Sequence, residues 1–309
     1  MSISSSEVLG ADALRARFVA RATERFARNV PDFVALQALV RMQGGTFRND
    51  HGAIRTADPA LTALFVRAAG TLGLERELDY AFPAKKLVSF DLQVAGEDSE
   101  QFKIFVSQVD LGAFPPAVAT LIREDCAEQA AAADHSPFVQ LIERAELDDG
   151  LSAADAEAFV AHFVDTLMNR NGPPLRRSTL EAVAAVSGEA ASALALGPDF
   201  NHLTIDVRAA GFASIDAMAA SMQARGFRLL PAIQGAPGTK LRQTATMART
   251  MDTPVREADG SLGTAQTEKQ FVEIIERAPA APGQPVFKNF LAANAEKIFD
   301  AASTRAERR

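Results

Sequence analysis

The sequence runs to 309 residues, with 32 Lys and Arg against 39 Asp and Glu, a formal net charge of −7 and 48% hydrophobic content. These proportions describe a folded globular chain of one large or two small domains and exclude a disordered or fibrous one. The acidic balance argues against nucleic acid or an anionic membrane as partner, and the lone Cys126 excludes an internal disulfide and a multi-thiolate metal site.

Residues 1–7 show no basic stretch leading into an apolar run, and about 18 consecutive apolar residues occur nowhere. The expected compartment is a reducing cytoplasm, with neither secretory signal nor membrane span. Residues 1–43 read as N-terminal helices. Leu14, Phe18, Ala22 and Phe26 recur every fourth residue within 11–29, and Arg17, Arg21, Arg25 and Arg28 hold another face. That spacing predicts an amphipathic helix with a solvated arginine stripe. A second helix follows at about 32–42, before Gly44-Gly45.

A first module then spans 44–114. Residues 51–56 read as a strand, and Asp58 as the cap of a helix with Pro59 at its first position. Leu61, Leu64, Phe65, Ala68, Ala69 and Leu72 mark that helix's apolar face, which stops near Gly73. Strands are predicted at 78–82, 87–94 and 102–109. An alanine-rich helical insert occupies 115–197, broken at Asn171-Gly172-Pro173-Pro174 and ended by Gly197-Pro198. The first pattern returns in a second module at 198–278. It holds a strand at 201–207, a helix capped by Ser214 and ended at Gly226, and strands at 227–233, 240–247 and 270–275. The segment 279–309 carries a final amphipathic helix over about 287–302. The expected fold is α+β, with two βαβββ modules forming one curved mixed sheet in a single domain.

The four histidines separate into two kinds. His135 lies in a polar loop and His162 within a helix, positions that suit solvated or core-edge residues. His51 and His202 each sit in the opening strand of a module. Two imidazoles with one carboxylate leave adjacent coordination positions open, the 2-His-1-carboxylate arrangement of non-haem Fe(II) oxygenases. Glu273 offers the carboxylate. It stands between Val272 and Ile274 in an apolar strand, where burial is costly unless the group is paired or bound to metal. Taken alone, these residues leave Glu273 as either a ligand or a water-facing edge residue, and Arg55 as either a ligand-binding or a surface arginine.

Phe271-Val272-Glu273-Ile274-Ile275-Glu276-Arg277 resembles the strand that carries the iron-binding glutamate of 4-hydroxyphenylpyruvate dioxygenase. That enzyme is a member of the vicinal oxygen chelate superfamily, built from βαβββ modules. Asn201-His202-Leu203-Thr204, the His51 to Arg55 spacing and Leu241-Arg242-Gln243-Thr244 resemble more closely the 2-oxoadipate dioxygenase/decarboxylase (hydroxyglutarate synthase) family, over about 44–300. The resemblance implies an Fe(II) centre held by His51, His202 and Glu273, with Arg55 binding substrate. It implies conversion of 2-oxoadipate and O2 to 2-hydroxyglutarate and CO2 in lysine catabolism. His51 and Arg55 would share a strand face about 13 Å apart, so a guanidinium fork could grip the far carboxylate of a six-carbon 2-oxo diacid.

The chain is shorter than the long bacterial members of that family, so any lid or substrate contacts they draw from later residues are expected to be missing. Whether Gln243 or Thr244 faces the pocket stays open, as does the oligomeric state. Two other functions fit the same residues: a metal-dependent enzyme of this fold acting on another 2-oxo acid, and a non-enzymatic small-molecule-binding protein.

Overall fold

Short-range periodicity decides the first elements of this computed structural model, which describes residues 8–96 and 100–299. After a two-residue strand β1 (Val8–Leu9) come α1 (Ala11–Asn29) and α2 (Pro31–Gln43). The fourfold stripe Leu14, Phe18, Ala22 and Phe26 is buried as its spacing predicts. The arginine stripe departs from expectation, because the helical insert covers part of it. Arg25 donates to Asp199 and to the Val164 carbonyl, and Arg21 pairs with Glu157 and Asp165.

The first module contributes β2 (Asn49–Thr56), α3 (Pro59–Gly70), β3 (Glu75–Phe82), β4 (Leu87–Gln93) and β5 (Lys103–Val109). Asp58 caps α3 by accepting from the Ala60 amide at 2.8 Å, with Pro59 behind it as expected. The insert holds α4 (Pro116–Ala131), α5 (Ser136–Asp148), β6 (Leu151–Ser152), α6 (Ala153–His162), β7 (Leu175–Arg176), α7 (Arg177–Ala184) and α8 (Gly188–Leu196). The second module begins with β8 (Phe200–Asp206), α9 (Ile215–Gln223) and β9 (Leu241–Ala245). It continues through β10 (Thr250–Arg256) and β11 (Leu262–Glu268) to β12 (Phe271–Arg277), and α10 (Ala292–Phe299) follows.

Seven strands form one curled sheet in the order β3-β4-β5-β2-β8-β12-β9. Each module opens with a strand that pairs in parallel with the module's last strand, β2 with β5 and β8 with β12. Antiparallel neighbours lie outside these pairs, and the antiparallel β2–β8 seam joins the modules. The histidine-bearing strands are therefore adjacent at the centre of the sheet.

Three further expectations need correction. The strand expected at 227–233 is reduced to isolated bridges, Leu229 with Thr246 and, just beyond, Gln234 with Gln243. Pro231 lies between them and has no N–H to give a ladder. The β10–β11 hairpin was not anticipated. It turns at Asp259-Gly260, with Gly260 at φ +85°, and pairs with β7 of the insert as a separate three-stranded sheet. The final helix begins at Ala292 rather than 287, because Phe287 donates its amide to the Ala278 carbonyl and Val286 bridges Pro279. Its expected end at 300–302 lies outside the described residues.

Alternation along the strands divides two cores. Ile54, Ile104, Val106, Leu203, Ile205, Val272 and Ile274 pack on one face against α1, α2, α3 and α9. The opposite face holds Ala53, Phe105 and Phe82 beneath Leu194 of the insert, Phe290 and Phe299. Covering that second face is what takes His51, Arg55, His202 and Glu273 out of water.

Gly52 faces the first core, where a β-carbon would come 2.4 Å from the Phe200 ring. Phe200 is itself wedged against Phe18 and Phe102. Gly52→Ala is expected to destabilise the protein by about 1–3 kcal/mol through overpacking, read as a lower urea midpoint. An unchanged midpoint would show that the β2–β8 seam has slack.

Candidate metal centre

Strand register brings the three predicted ligands together. His51 of β2 lies opposite Thr204 of β8, and Thr204 is in register with Glu273 of β12. His202, two residues before Thr204, shares its face. His202 Nε2 stands 3.1 Å and His51 Nε2 3.6 Å from Glu273 Oε2, and the three candidate donor atoms lie within 4.8 Å of one another. Metal–ligand bonds of about 2.0–2.2 Å set neighbouring donors about 3 Å apart, so the set fits one cation.

Burial and unmet hydrogen bonding support that fit. Glu273 is only 1% exposed, and its Oε1 has no hydrogen-bond partner; neither has His202 Nδ1. A buried carboxylate oxygen without a donor costs free energy that a cation would offset. Two imidazole nitrogens and one carboxylate suit iron among other divalent metals. The remaining contacts are local. Thr204 Oγ1 donates to Glu273 Oε2 at 3.1 Å and lies 3.0 Å from His51 Nε2. Phe271 stacks on the His202 ring at 4.7 Å, while Phe290 meets the His51 ring edge-on at 4.8 Å.

The two imidazoles differ in proton affinity. Burial works to lower the His51 pKa, but hydrogen bonds with Asp50 and Glu273 outweigh it and raise the value. Burial dominates at His202 and lowers its pKa despite Glu273. Burial would raise Asp50, yet the charges of Arg277 and Lys103 hold it well below the usual carboxylate range. With Asp50 ionised and 2.8 Å from His51 Nδ1, the single proton of the neutral ring, the form that binds a metal, belongs on Nδ1, which leaves the Nε2 lone pair for a cation.

Arg55 is buried on the same face, two strand positions beyond Ala53, which lies opposite His202. Its Nη1 stands 2.8 Å from Glu189 Oε2 of α8, its guanidinium lies over the Phe299 ring at 5.3 Å, and its Nε has no partner. Gln243 is in register with Ile275 and so shares the face of Glu273, whereas Thr244 is in register with Ile274 on the opposite face. His135 and His162 sit elsewhere, hydrogen-bonded to each other at 2.9 Å, with Phe138 stacked on His162. A cavity of about 180 Å³ lined by Leu61, Leu64, Cys126 and Leu194 contains none of the three candidate ligands.

Asp50, Thr204, Glu189 and Arg277 went unrecognised in the sequence. Thr204 and Arg277 had a usable signal, the i+2 spacing from His202 and the i+4 spacing from Glu273. Asp50 reaches the site through a strand irregularity and Glu189 from a distant segment.

The family model for 2-oxoadipate dioxygenase/decarboxylase matches residues 17–308. The solved structure of hydroxyglutarate synthase from Oryza sativa in complex with 2-oxoadipate is similar, with a TM-score of 0.73 and 20% identity. The match covers 100% of this chain and 99% of that one. Hydroxyglutarate synthase from Pseudomonas putida in complex with 2-oxoadipate gives 0.70 at 22% identity, over 98% of this chain and 75% of that one. A protein assigned to the glyoxalase superfamily, from Ralstonia eutropha JMP134, gives 0.81 at 19% identity, over 94% and 90%. At such identities the likeness is one of fold. No curated protein sequence matches the chain.

In the metal-free protein, burial works to raise the Glu273 carboxyl, but the His202 and His51 imidazoles 3.1 and 3.6 Å away overcome it and hold the value down at about 2, against an ordinary 4.5. A lowered acid pKa contributes stability above the unfolded value, and that stability is lost as pH falls toward the folded one. Acid titration is therefore expected to remove on the order of 3 kcal/mol between about pH 4.5 and 2. Glu273→Gln should flatten that limb of the stability curve. A variant that keeps the parent's slope there would contradict the assignment.

Proposed function

The chain belongs to the 2-oxoadipate dioxygenase/decarboxylase family, and on that premise we propose that it is an Fe(II)-dependent enzyme converting 2-oxoadipate and O2 to 2-hydroxyglutarate and CO2. The atoms balance: both oxygen atoms of O2 enter products, one carboxyl carbon leaves as CO2, and the shortened chain gains a hydroxyl group. The reaction would serve lysine catabolism, the pathway the family resemblance implies. The observation that carries this reading is the buried convergence of His51, His202 and Glu273, with Arg55 on the same sheet face.

His51, His202 and Glu273 would hold the iron through Nε2, Nε2 and a carboxylate oxygen. When bound, Fe(II) supplies adjacent open positions at which a 2-oxo acid and O2 can react. Asp50 keeps the His51 proton on Nδ1, so the opposite nitrogen stays available as a donor. Glu273 remains ionised because both imidazoles face it. Phe271 and Phe290 pack on the two histidine rings and keep bulk water away, which strengthens every charge interaction inside.

Arg55 would bind the distal carboxylate of the substrate. Its fork suits a carboxylate, and its buried, unsatisfied Nε supports a ligand on that side. The Arg55–Glu189 pair favours a second, narrower reading. An arginine already neutralised by the protein would suit a 2-oxo acid with an uncharged tail.

Oxygen-electrode assays of the Fe(II)-loaded protein against a panel of 2-oxo acids separate the two. Arg55→Ala is expected to lower kcat/KM for 2-oxoadipate about a hundredfold, or about 3 kcal/mol, the scale of a lost buried charge contact. Unchanged turnover of 2-oxoadipate by this variant, with faster turnover of a monoacid, would select the second reading. His202→Ala is expected to lose both iron retention and O2 uptake while its far-ultraviolet circular dichroism is kept. Oxygen consumption at the parent rate would refute the ligand set.

A further inference from the structure

Asp50 and Arg277 are both buried, and neither is a candidate ligand, yet Asp50 touches His51 and Arg277 touches Asp50 and the Phe290 ring that packs on His51. Successive strand residues ordinarily face opposite sides of a sheet. The β2–β8 register shifts between Asn49 and His51, and that irregularity leaves Asp50 beside its neighbour, with Oδ1 2.8 Å from His51 Nδ1. Arg277 lies four residues beyond Glu273 on β12 and so shares its face. Its Nε and Nη2 donate to Asp50 Oδ2 and Oδ1 at 2.7 and 2.9 Å, a two-pronged grip on one carboxylate.

The remaining prong points elsewhere. Arg277 Nη1 donates to the backbone carbonyls of Phe287 and Asn289 at 3.1 and 2.8 Å. These belong to the segment that carries Phe290, whose ring meets His51 at 4.8 Å and lies under the Arg277 guanidinium at 5.3 Å. Asn289 also accepts from Gln93, which anchors the same segment to the end of β4. One ion pair therefore has an imidazole at one end and a covering segment at the other.

We propose that Asp50 and Arg277 are positioning residues that couple the metal affinity of His51 to the seating of segment 287–290 over the centre. Asp50 fixes the ring by accepting from Nδ1. Arg277 fixes Asp50, and the same planar guanidinium seats the segment, so loosening either end loosens the other. Lysine cannot replace it, because one ammonium cannot span a carboxylate and two carbonyls in this fixed geometry. The inference rests on the metal reading of the site.

The test uses the full chain, with Co(II) as a coloured probe of the metal site and hydrogen exchange as a probe of residues 286–291. Asp50→Asn and Arg277→Lys are each expected to weaken Co(II) binding about 10–100-fold, the usual effect of losing a carboxylate behind a ligating histidine. Both should also speed exchange at the Phe287 amide and its neighbours. Removing one member of a buried pair leaves the other's charge uncompensated. The double variant D50N/R277M removes the ion pair as a unit, although the buried Lys103, 3.9 Å from Asp50, also loses a counter-charge; parent-like far-ultraviolet circular dichroism of this variant separates positioning from folding damage. The double variant should bind Co(II) no more than about twofold more weakly than the worse single variant, as residues acting through one link are not additive. Co(II) affinities within twofold of the parent in every variant would overturn the proposal. So would weakened metal binding with unchanged exchange at 286–291. A parent protein that binds no Co(II) would overturn the metal reading, and this inference with it.

Discussion

A carboxylate that has left water must find compensation, and Glu273 is where this protein meets that constraint. It stands on β12 between β8 and β9, 1% exposed, facing two imidazoles and a threonine hydroxyl. In an apolar interior an unpaired carboxylate would take up a proton. Here it is held ionised by its neighbours, with one oxygen left without a donor. The surrounding architecture makes that arrangement stable enough to persist and incomplete enough to accept a cation.

The β2–β8 seam is what brings the neighbours to it. Each module taken alone supplies one histidine strand paired in parallel with its own last strand. Joining the two modules edge to edge makes the histidine strands adjacent, and the ladder register then decides which side chains meet. A slip of one residue would turn His202 and Thr204 into the opposite core. Phe200 and Gly52, pressed together on that opposite side, oppose such a slip.

The inner face would open to water without its cover. The insert contributes α8, which carries Glu189 against Arg55, and the C-terminal segment contributes Phe290 and Phe299. Among the described residues no helix is long and apolar enough to cross a membrane.

Much of the fold was legible in the sequence because it depends on local chemistry. The Leu14 to Phe26 stripe, the Asp58-Pro59 and Ser214 helix starts, and the alternation within β5, β8 and β12 are each governed by neighbours a few residues away. The candidate ligands were legible as chemistry, two histidines at equivalent module positions and one acid in an apolar strand. The hairpin at 250–268 was missed although Asp259-Gly260 marks its turn, and the strand at 227–233 was overread because Pro231 was not weighed. What only tertiary structure decided was everything set by register and by distant segments: the irregularity that places Asp50 behind His51, the Glu189 carboxylate on Arg55, and the reach of Arg277 to segment 287–290. The reason is physical. Periodicity records which way a side chain faces along its own element, whereas a partner on another element is chosen by how strands align and helices cover them, and no local pattern encodes that.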